Sequence, residues 1–269
     1  MLRSCVHTHT RFCDGIDTPE EMVQAALALG FVSLGFSGHG HSPLDPAAMS
    51  VEGEKTYREE VTRLQALYAG QLEILLGQEH EGFSPYSDYP YSYLIESLHW
   101  INRDGQWLGM DWSRERTEEN VRLHFGGDYF AYCRAYYEAC ASVYEKSPAQ
   151  ICGHLDLLTK FNEGSCMFDM DDPRYLESAR QALRVAVERG MVVELNTGAI
   201  ARGYRLTPYP IPALLRHLRD IGGEVIVTAD CHDRRFLTCW YDNAEALLRE
   251  LGYTHTLVLR KGGFQEQAL

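Results

Sequence analysis

The sequence lacks the features that mark membrane proteins and disulfide-rich secreted proteins. No apolar run in its 269 residues is as long as the roughly 18 residues that a membrane-spanning helix needs. No basic segment followed by an apolar run opens the chain, so we predict no signal peptide and a cytoplasmic location. The eight cysteines are scattered and include no CxxC pair, which predicts small buried side chains and no disulfide or thiolate zinc site.

Basic side chains are also few, and linker segments are absent. Lys and Arg total 25 against 38 Asp and Glu, which gives a formal net charge of −13. Such an acidic chain repels nucleic acid unless a local patch or a bound cation reverses the field. No Pro/Ser-rich linker, low-complexity tract or fixed-period repeat interrupts the sequence. We therefore predict a single domain over residues 1–269, with neither nucleic acid nor a membrane as its partner.

Short β-branched or apolar segments alternate with longer amphipathic segments along the chain. The predicted strands are 2–6, 32–37, 72–76, 93–98, 150–152, 191–195 and 224–228, with a last short strand at 256–259. Thr18 and Pro19 predict the start of the first helix, and a long excursion at 102–127 precedes a helix at 128–145. Strand–helix alternation predicts parallel strands, and seven or eight such units favour a barrel with its chemistry at the carboxyl ends of the strands.

Six of the eleven histidines and three carboxylates lie just after these strands. In chain order they are His7, His9, Asp14, His39, Glu79, His99, His154, Asp230 and His232. A barrel brings the ends of its strands together, so these side chains are expected to meet. Neutral imidazole and carboxylate are good ligands for Zn²⁺, Mn²⁺ and Fe²⁺. His7 and His9 are two residues apart, so in a strand they face the same side and can share one ion.

Each of these residues also has an ordinary explanation when it is taken alone. A two-histidine motif can arise by chance, a lone histidine is usually a hydrogen-bonded core residue, and Asp230 could cap a helix. The joint placement of all nine favours a metal site. The four histidines without such placement, His80, His124, His217 and His255, are expected to be solvated or structural.

Seven segments, in this order along the chain, carry a family resemblance. They are HTHTRFCDG at 7–15, the turn at His39, GQEHE at 77–81, SLH at 97–99, GHLDLLTKFN at 153–162, ELNTGAIARGY at 194–204 and TADCH at 228–232. With these segments the sequence resembles the PHP (polymerase and histidinol phosphatase) superfamily, and within it the monofunctional histidinol-phosphatase branch. The resemblance implies a distorted (β/α)7 barrel of α/β class, in which the strand at 256–259 is peripheral.

The resemblance also implies three divalent metal ions, which would be Zn, Mn or Fe. The first would bind His7, His9, Glu79 and Asp230; the second would share Glu79 and bind His99 and His154; the third would bind Asp14, His39 and His232. Some relatives carry His at the position of Asp14, and relatives commonly carry Gly where this chain has Glu96. The ligand set is nevertheless complete.

The activity implied by the resemblance is hydrolysis of L-histidinol phosphate by metal-activated water. Lys160 and Arg202 fall in segments where basic residues bind phosphate, and Arg205 is either a third such residue or a surface charge. The acid that protonates the leaving alkoxide is left open among His41, Asp230 and Glu81. His41 could also bind the phosphate, and Glu81 could bind the substrate ammonium group.

Two other functions remain open from the sequence. The first is a phosphoesterase of the same family that acts on another small phosphate ester or a nucleotide. The second is a non-catalytic module that binds metal or phosphate through a closed cluster. For the enzymatic functions the expected partner is a small phosphate ester, whereas the non-catalytic module would store metal or bind a phosphorylated partner. The sequence carries no information on the oligomeric state.

Overall fold

In the computed structural model, which describes residues 3–269, strands and helices alternate as the sequence predicts. The strands are β1 Ser4–Cys5, β2 Ser33–Phe36, β3 Glu73–Glu81, β4 Tyr93–Ser97, β5 Trp100–Arg103, β6 Gln106–Gly109, β7 Ile151–Cys152, β8 Val192–Asn196, β9 Val225–Thr228, β10 His255–Arg260 and β11 Gly263–Ala268. Residue 2 of the first predicted strand lies outside the described residues.

Six of the eight helices that the described residues form lie where amphipathic segments and capping residues predict them. The eight are α1 Pro19–Ala28, α2 Val51–Leu67, α3 Arg114–His124, α4 Tyr129–Tyr144, α5 Pro173–Glu188, the short α6 Gly198–Ala201, α7 Pro212–Asp220 and α8 Tyr241–Glu250. Of these, α3 and α6 were not predicted. Thr18 caps α1 through a reciprocal hydrogen-bond pair with Glu21, and Pro19 occupies its first position, as expected. No helix within residues 3–269 is both long and apolar enough to cross a bilayer.

Seven parallel strands form the ring that carries the site. Their order in the sheet is β1-β2-β3-β4-β7-β8-β9, followed by β10 and β11. An isolated parallel bridge between Thr8 and Cys231 links the chain after β1 to the chain after β9. The His9 N–H donates to the Cys231 carbonyl (2.9 Å), and the Cys231 N–H donates to the His7 carbonyl (3.1 Å). The predicted distorted (β/α)7 barrel is confirmed, with first and last strands joined by one residue pair instead of a continuous ladder.

The barrel is filled by an inner apolar cluster. Its members are Val6, Leu75, Tyr93, Ile95, Ile151, Val192, Ile226, Leu257 and Leu259. Tyr93 is the largest of them, and its hydroxyl donates to the carbonyls of Val6 (2.5 Å) and Phe36 (3.1 Å). A Cβ at Gly35 or Gly77 would collide with the Tyr93 ring, so these glycines make room for the ring.

Three parts of the fold differ from the sequence prediction. β3 continues five residues beyond the predicted end at residue 76, because its second half pairs with β4 after its first half has paired with β2. The excursion at 102–127 contains the hairpin β5–β6 and helix α3. β10 is not simply peripheral: it pairs with β9 and β11, and Leu257 and Leu259 contribute to the inner apolar cluster.

The cysteines behave largely as the sequence predicts. All eight are free, and five of them are buried. Cys166 is exposed, and Cys13 and Cys239 are partly buried. Cys13 contacts the side chain of a predicted ligand, because its Sγ lies 3.4 Å from His9 Nδ1.

Candidate metal centre

The nine predicted ligands meet at the carboxyl ends of the ring strands. Four overlapping groups of donor atoms, each within 4.8 Å of one another, are His9–Asp14–His39–His232, His7–His9–Asp230, His7–Glu79–His154 and His39–Glu79–His99. Together these groups contain all nine residues, which we call the ligand cluster. Six members are buried, His39 and His232 are partly buried, and Asp14 is exposed.

Glu79 stands at the centre of the ligand cluster and uses its two oxygens in different directions. Oε2 lies 3.3 Å from His7 Nε2, 3.3 Å from His9 Nε2 and 3.1 Å from His39 Nδ1. Oε1 lies 3.0 Å from His154 Nε2 and 3.7 Å from His99 Nε2. Burial opposes its ionisation, but the imidazoles, His7 and His39 foremost, outweigh burial and hold the pKa of Glu79 well below its usual value. One carboxylate therefore faces two sets of imidazoles.

Asp230 closes the cluster from β9. Oδ1 lies 3.3 Å from His9 Nε2 and 3.6 Å from His7 Nε2, and Oδ2 accepts a hydrogen bond from Arg202 (3.0 Å). Its backbone has φ 43°, a left-handed conformation that Asp tolerates better than most residues but at some cost. A Cβ at Gly198 would lie 2.7 Å from Asp230 Oδ2, so the glycine of the NTGAIARGY segment leaves space for this carboxylate.

Asp14 reaches the cluster from the loop after β1. Its Oδ2 lies 3.1 Å from His232 Nε2, and its Oδ1 lies 3.4 Å from His9 Nδ1 and 3.7 Å from His39 Nε2. The loop returns tightly on itself, because a Cβ at Gly15 would strike the backbone of His9 and the next residue. Asp14 thereby joins His39 and His232, as the family resemblance implies.

Two buried glutamates hold the imidazoles from behind. Glu194 Oε1 lies 2.7 Å from His7 Nδ1. Its Oε2 accepts hydrogen bonds from the backbone N–H of His154 (3.0 Å) and from the side-chain amide of Asn196 (3.1 Å). Glu81 Oε2 accepts a hydrogen bond from the backbone N–H of His99 (2.9 Å) and lies 3.0 Å from the ring atom His99 Nδ1. A carboxylate at Nδ1 orients the ring and directs Nε2 to the opposite side. Sequence analysis gave no role to Glu194.

The donor set fits divalent metal ions. His7 Nε2 and His9 Nε2 are buried and have no hydrogen-bond partner within the described chain, yet both aim at Glu79 and Asp230. Buried polar atoms without partners are costly, and a cation between these nitrogens and carboxylates removes that cost. Imidazole nitrogens and carboxylate oxygens, with no thiolate needed, suit first-row divalent ions. The chemistry of the ligand cluster therefore fits divalent metal ions.

The protonation of the metal-free cluster is unusual. Burial lowers the pKa of His39 and His99, but the adjacent carboxylates outweigh burial and raise the two values to about 9 and about 10. The main opposing groups are Glu79 for His39 and Glu81 for His99. Without metal, these imidazoles carry protons at neutral pH, and metal ions must displace those protons to bind.

A cavity of about 270 Å³ opens above the ligand cluster. Its floor is formed by ligand-cluster residues, and its walls include Asp45, Trp100, Asp111, Trp112, Lys160, Arg202 and Tyr204. Lys160 Nζ donates to the Asp111 carbonyl (2.9 Å) and lies 3.0 Å from Asp111 Oδ2, and Arg202 donates to Asp230 as described above. Two of the three predicted phosphate-binding residues thus line the cavity. Its aromatic and acidic walls were not predicted.

Three other predicted site residues do not line this cavity. Glu81 was expected at the rim, but it is 5% exposed and lies behind His99, because β3 continues as far as Glu81. Arg205 is buried, donates to Thr159 and Thr207, and lies 5.1 Å from the centre of the Tyr209 ring. It is therefore not the surface charge that was one of its two predicted roles, and it does not line the cavity. His41 is exposed, and its Nδ1 lies 3.1 Å from the Met49 carbonyl oxygen.

Comparison with known proteins relates this geometry to one family. A family model described as PHP domain matches residues 6–198. A curated protein of Schizosaccharomyces pombe named "Probable histidinol-phosphatase" is 26% identical over 95% of this chain and 89% of its own length. A protein of the same name from Deinococcus radiodurans is 29% identical over 91% of this chain and 92% of its own length.

A solved structure resembles the whole fold. Histidinol phosphate phosphatase of Lactococcus lactis, crystallised with Zn, L-histidinol and phosphate, superposes with a TM-score of 0.73 over 98% of this chain and 100% of its own. The sequence identity is 18%, so this likeness concerns the fold alone. The sequence relatives, the fold and the donor set are all consistent with membership of the same family.

Proposed function

The chain belongs to the PHP domain family, and on that premise we propose that it hydrolyses L-histidinol phosphate to L-histidinol and phosphate. The observation that carries the proposal is the convergence of all nine predicted ligands beneath a cavity lined by Lys160 and Arg202. The substrate is suggested by the names of the two curated relatives, which match this chain over nearly its full length.

The ligand cluster would hold three divalent ions, of zinc, manganese or iron. His7, His9, Glu79 and Asp230 form the first proposed ligand set. Glu79 with His99 and His154 forms the second, and Asp14, His39 and His232 form the third. Bound divalent ions supply Lewis-acid activation of water and neutralise the charge of the phosphoryl oxygens. The two directions in which Glu79 presents its oxygens support its proposed bridging role.

The cavity walls provide cationic groups for the phosphate. Three divalent ions against the charges of Asp14, Glu79 and Asp230 leave the centre positive, so a protein of net charge −13 can still bind a dianion. Arg202 can form bidentate contacts with phosphate oxygens, while its hydrogen bonds to the Asp230 side chain and backbone fix its position. Lys160 is held by Asp111 and adds a second positive charge.

Asp230 is the best-placed group for proton transfer among the three predicted from the sequence. Unlike His41 and Glu81, it lines the cavity. Burial opposes its ionisation, but Arg202 and His7 outweigh burial and hold the pKa of Asp230 well below its usual value. The ionised Asp230 can accept a hydrogen bond from the attacking water; its low pKa makes it a weak base, so it would pass the water proton on to the alkoxide oxygen as the P–O bond breaks.

Kinetic comparison of phosphate monoesters tests the proposal. Protein reconstituted with Mn²⁺, Fe²⁺ or Zn²⁺ would be assayed with L-histidinol phosphate, glycerol phosphate, ribose 5-phosphate and AMP, using phosphate release as the readout. We expect the highest kcat/KM for L-histidinol phosphate. A better kcat/KM with another ester would overturn the substrate assignment, and tight phosphate binding without any turnover would favour the non-catalytic module. The Glu79→Gln variant, purified identically, controls for contaminating phosphatases.

A further inference from the structure

The cavity wall includes five carboxylates, and four of them already have a basic side chain within hydrogen-bond distance. Asp14 faces His232 (3.1 Å), Glu79 faces His154 (3.0 Å), Asp111 faces Lys160 (3.0 Å) and Asp230 faces Arg202 (3.0 Å). The fifth is Asp45, on the loop between β2 and α2. These pairings leave Asp45 as the carboxylate of the cavity wall that lacks a close cationic partner.

The two oxygens of Asp45 have different surroundings. Oδ1 accepts the Ala47 N–H (2.8 Å) and so shapes the turn of the loop. Oδ2 has His39 Nδ1 as its nearest basic atom at 3.9 Å, which is too far for a hydrogen bond. The side chain is 12% exposed, and its residue lines the cavity. A mostly buried carboxylate that lines a cavity and has no basic group within hydrogen-bond distance of its Oδ2 is suited to a cationic ligand group.

Asp45 lies on the opposite side of the cavity from the phosphate-binding Arg202. Their loops follow β2 and β8, which are separated around the ring by three strands in one direction and two in the other. Because Asp45 and Arg202 line the same cavity, a substrate whose phosphate contacts Arg202 could place its leaving group beside the loop of Asp45. The leaving group would then lie beside the hairpin β5–β6 and the residues that follow it as far as Trp112, which we call the hairpin wall.

The hairpin wall is aromatic. Trp100 and Trp112 both line the cavity, with ring centres 5.5 Å apart and planes at 78°. Trp112 is 59% exposed, although it is a large apolar side chain beside a polar centre. Gly109 makes room for the Trp112 ring, because a Cβ at this position would lie only 3.0 Å from the ring. An exposed indole face at the mouth of a cavity suits a planar ring in the ligand.

We propose that Asp45 binds the ammonium group of the leaving alcohol and that Trp112 covers its imidazole ring. This inference rests on the proposed function and specifies how the same site selects its substrate. The preferred class is phosphate monoesters of amino alcohols that carry a planar heteroaromatic ring. Asp45 and Trp112 act on specificity, while the phosphate is bound by other residues.

Three esters separate the two contacts. L-Histidinol phosphate has the ammonium and the imidazole, 3-(imidazol-4-yl)propyl phosphate lacks the ammonium, and L-alaninol phosphate lacks the imidazole. Asp45→Asn keeps an acceptor for the Ala47 N–H but removes the charge. It should lower kcat/KM by roughly 10- to 100-fold for the two ammonium esters, mainly through KM, and change the imidazolylpropyl ester by less than about 2-fold. Inhibition by L-histidinol should weaken in parallel.

Trp112→Ala should show the reverse pattern. We expect kcat/KM to fall by roughly 3- to 10-fold for the two imidazole esters and to stay nearly constant for L-alaninol phosphate. Asp104→Asn is the matched control, because Asp104 is 87% exposed at the hairpin tip and does not line the cavity. Asp45→Ser, which also keeps a side-chain acceptor, repeats the test if the Asn variant does not fold. Metal content is measured in every variant.

The outcomes distinguish this inference from the proposed function. If the wild-type protein prefers an ester outside this set, the proposed function fails. If it prefers L-histidinol phosphate but Asp45→Asn lowers kcat/KM equally for all three esters, Asp45 acts on the chemistry and the inference is wrong. A loss of bound metal in Asp45→Asn would likewise overturn it, because the effect would then pass through His39.

Discussion

The two ends of the barrel are built on the same strands but carry different side chains: one end is packed with apolar residues, and the other gathers imidazoles and carboxylates. Leu75 of β3 belongs to the inner apolar cluster, and Glu79, four residues later, is the centre of the ligand cluster. Ile226 and Asp230 repeat this spacing at β9. Four residues of strand cover roughly 13 Å, and an even spacing keeps side chains on one face of a strand. The change from apolar packing to ligand chemistry thus occurs within a short distance along the barrel axis.

The two clusters differ in what they require to be stable. The inner apolar cluster is packed by its own side chains. The ligand cluster concentrates imidazoles and carboxylates, several of whose pKa values are displaced from their usual range. Three of its buried ring nitrogens, on His7, His9 and His154, have no hydrogen-bond partner within the described chain. Local interactions at functional sites are often incompletely satisfied until the ligand binds. One end of the barrel therefore stabilises the fold, and the other end has the donor groups that metal ions would complete.

The largest effect that we expect from this difference between the two clusters is a strong pH dependence of metal binding. His39 and His99 have pKa values of about 9 and about 10, so both are protonated at pH 8 and at pH 6, and metal must displace both protons. Lowering the pH from 8 to 6 should weaken affinity by roughly 10²-fold for each displaced proton. Titration against a chelating dye at both pH values measures this. Affinity that does not change with pH would contradict the predicted protonation.

Glu79→Gln should separate catalysis from folding. The amide loses the negative charge and one of the two acceptor oxygens that face separate imidazole sets. We expect turnover to fall by roughly 10²- to 10³-fold, with a lower metal content and an unchanged circular dichroism spectrum. Glu266→Gln, on the exposed strand β11, is the control. Near-normal turnover in Glu79→Gln would refute the bridging role.

Glu194→Gln tests the layer behind the ligand cluster. The amide can no longer accept strongly at His7 Nδ1 while also accepting the His154 N–H. Loss of such a contact typically weakens metal affinity by roughly 10- to 100-fold. Equilibrium dialysis with the metal alone provides the measurement. Unchanged affinity would show that Glu194 has only a packing role.

Ile151→Val should act on the opposite end of the barrel and produce the smallest change. Ile151 is fully buried in the inner apolar cluster. Removing one methylene group should lower the free energy of unfolding by about 0.5–1.5 kcal/mol, measured by urea denaturation of the metal-free protein. Metal affinity and kcat/KM of the folded protein should stay within about 2-fold. A large loss of metal affinity would show that the two ends are coupled.

The ligand cluster could be predicted from sequence because parallel strands have a fixed geometry. Residues that follow strands of one ring meet at one end, whatever their distance along the chain, so His7 and Asp230 were correctly brought together. The fold class followed from the same alternation. The roles of the nine residues as ligands remain predictions, because their positions alone do not identify the bound ions.

The supporting residues were harder to predict, because their roles depend on exact strand ends. The polar segment after Leu76 was assigned to a loop, although β3 continues and alternates its side chains as far as Glu81. The alternation directs Glu79 to the ligand cluster and His80 to Glu96 on β4, 2.7 Å away. An acidic residue within the otherwise apolar predicted strand 191–195 was the available signal for Glu194.

The cavity walls could not be predicted from strand positions at all. Asp45 and Trp112 lie on connections whose paths are set by tertiary packing, and one of these connections forms the hairpin β5–β6 that the sequence pattern did not indicate. Strand ends determine the metal centre, whereas loops determine what surrounds it. Substrate selection is therefore the part of the function that depends most on the three-dimensional structure.

The most direct test of the metal centre is an anomalous-scattering map. Crystals of protein prepared with ample manganese, iron and zinc, and soaked in phosphate, would be measured at the absorption edge of each metal. We predict three peaks within the ligand cluster, two of them on either side of the Glu79 carboxylate, and an anion in contact with Arg202 and Lys160. A map without metal peaks among these imidazoles and carboxylates would contradict the central claim.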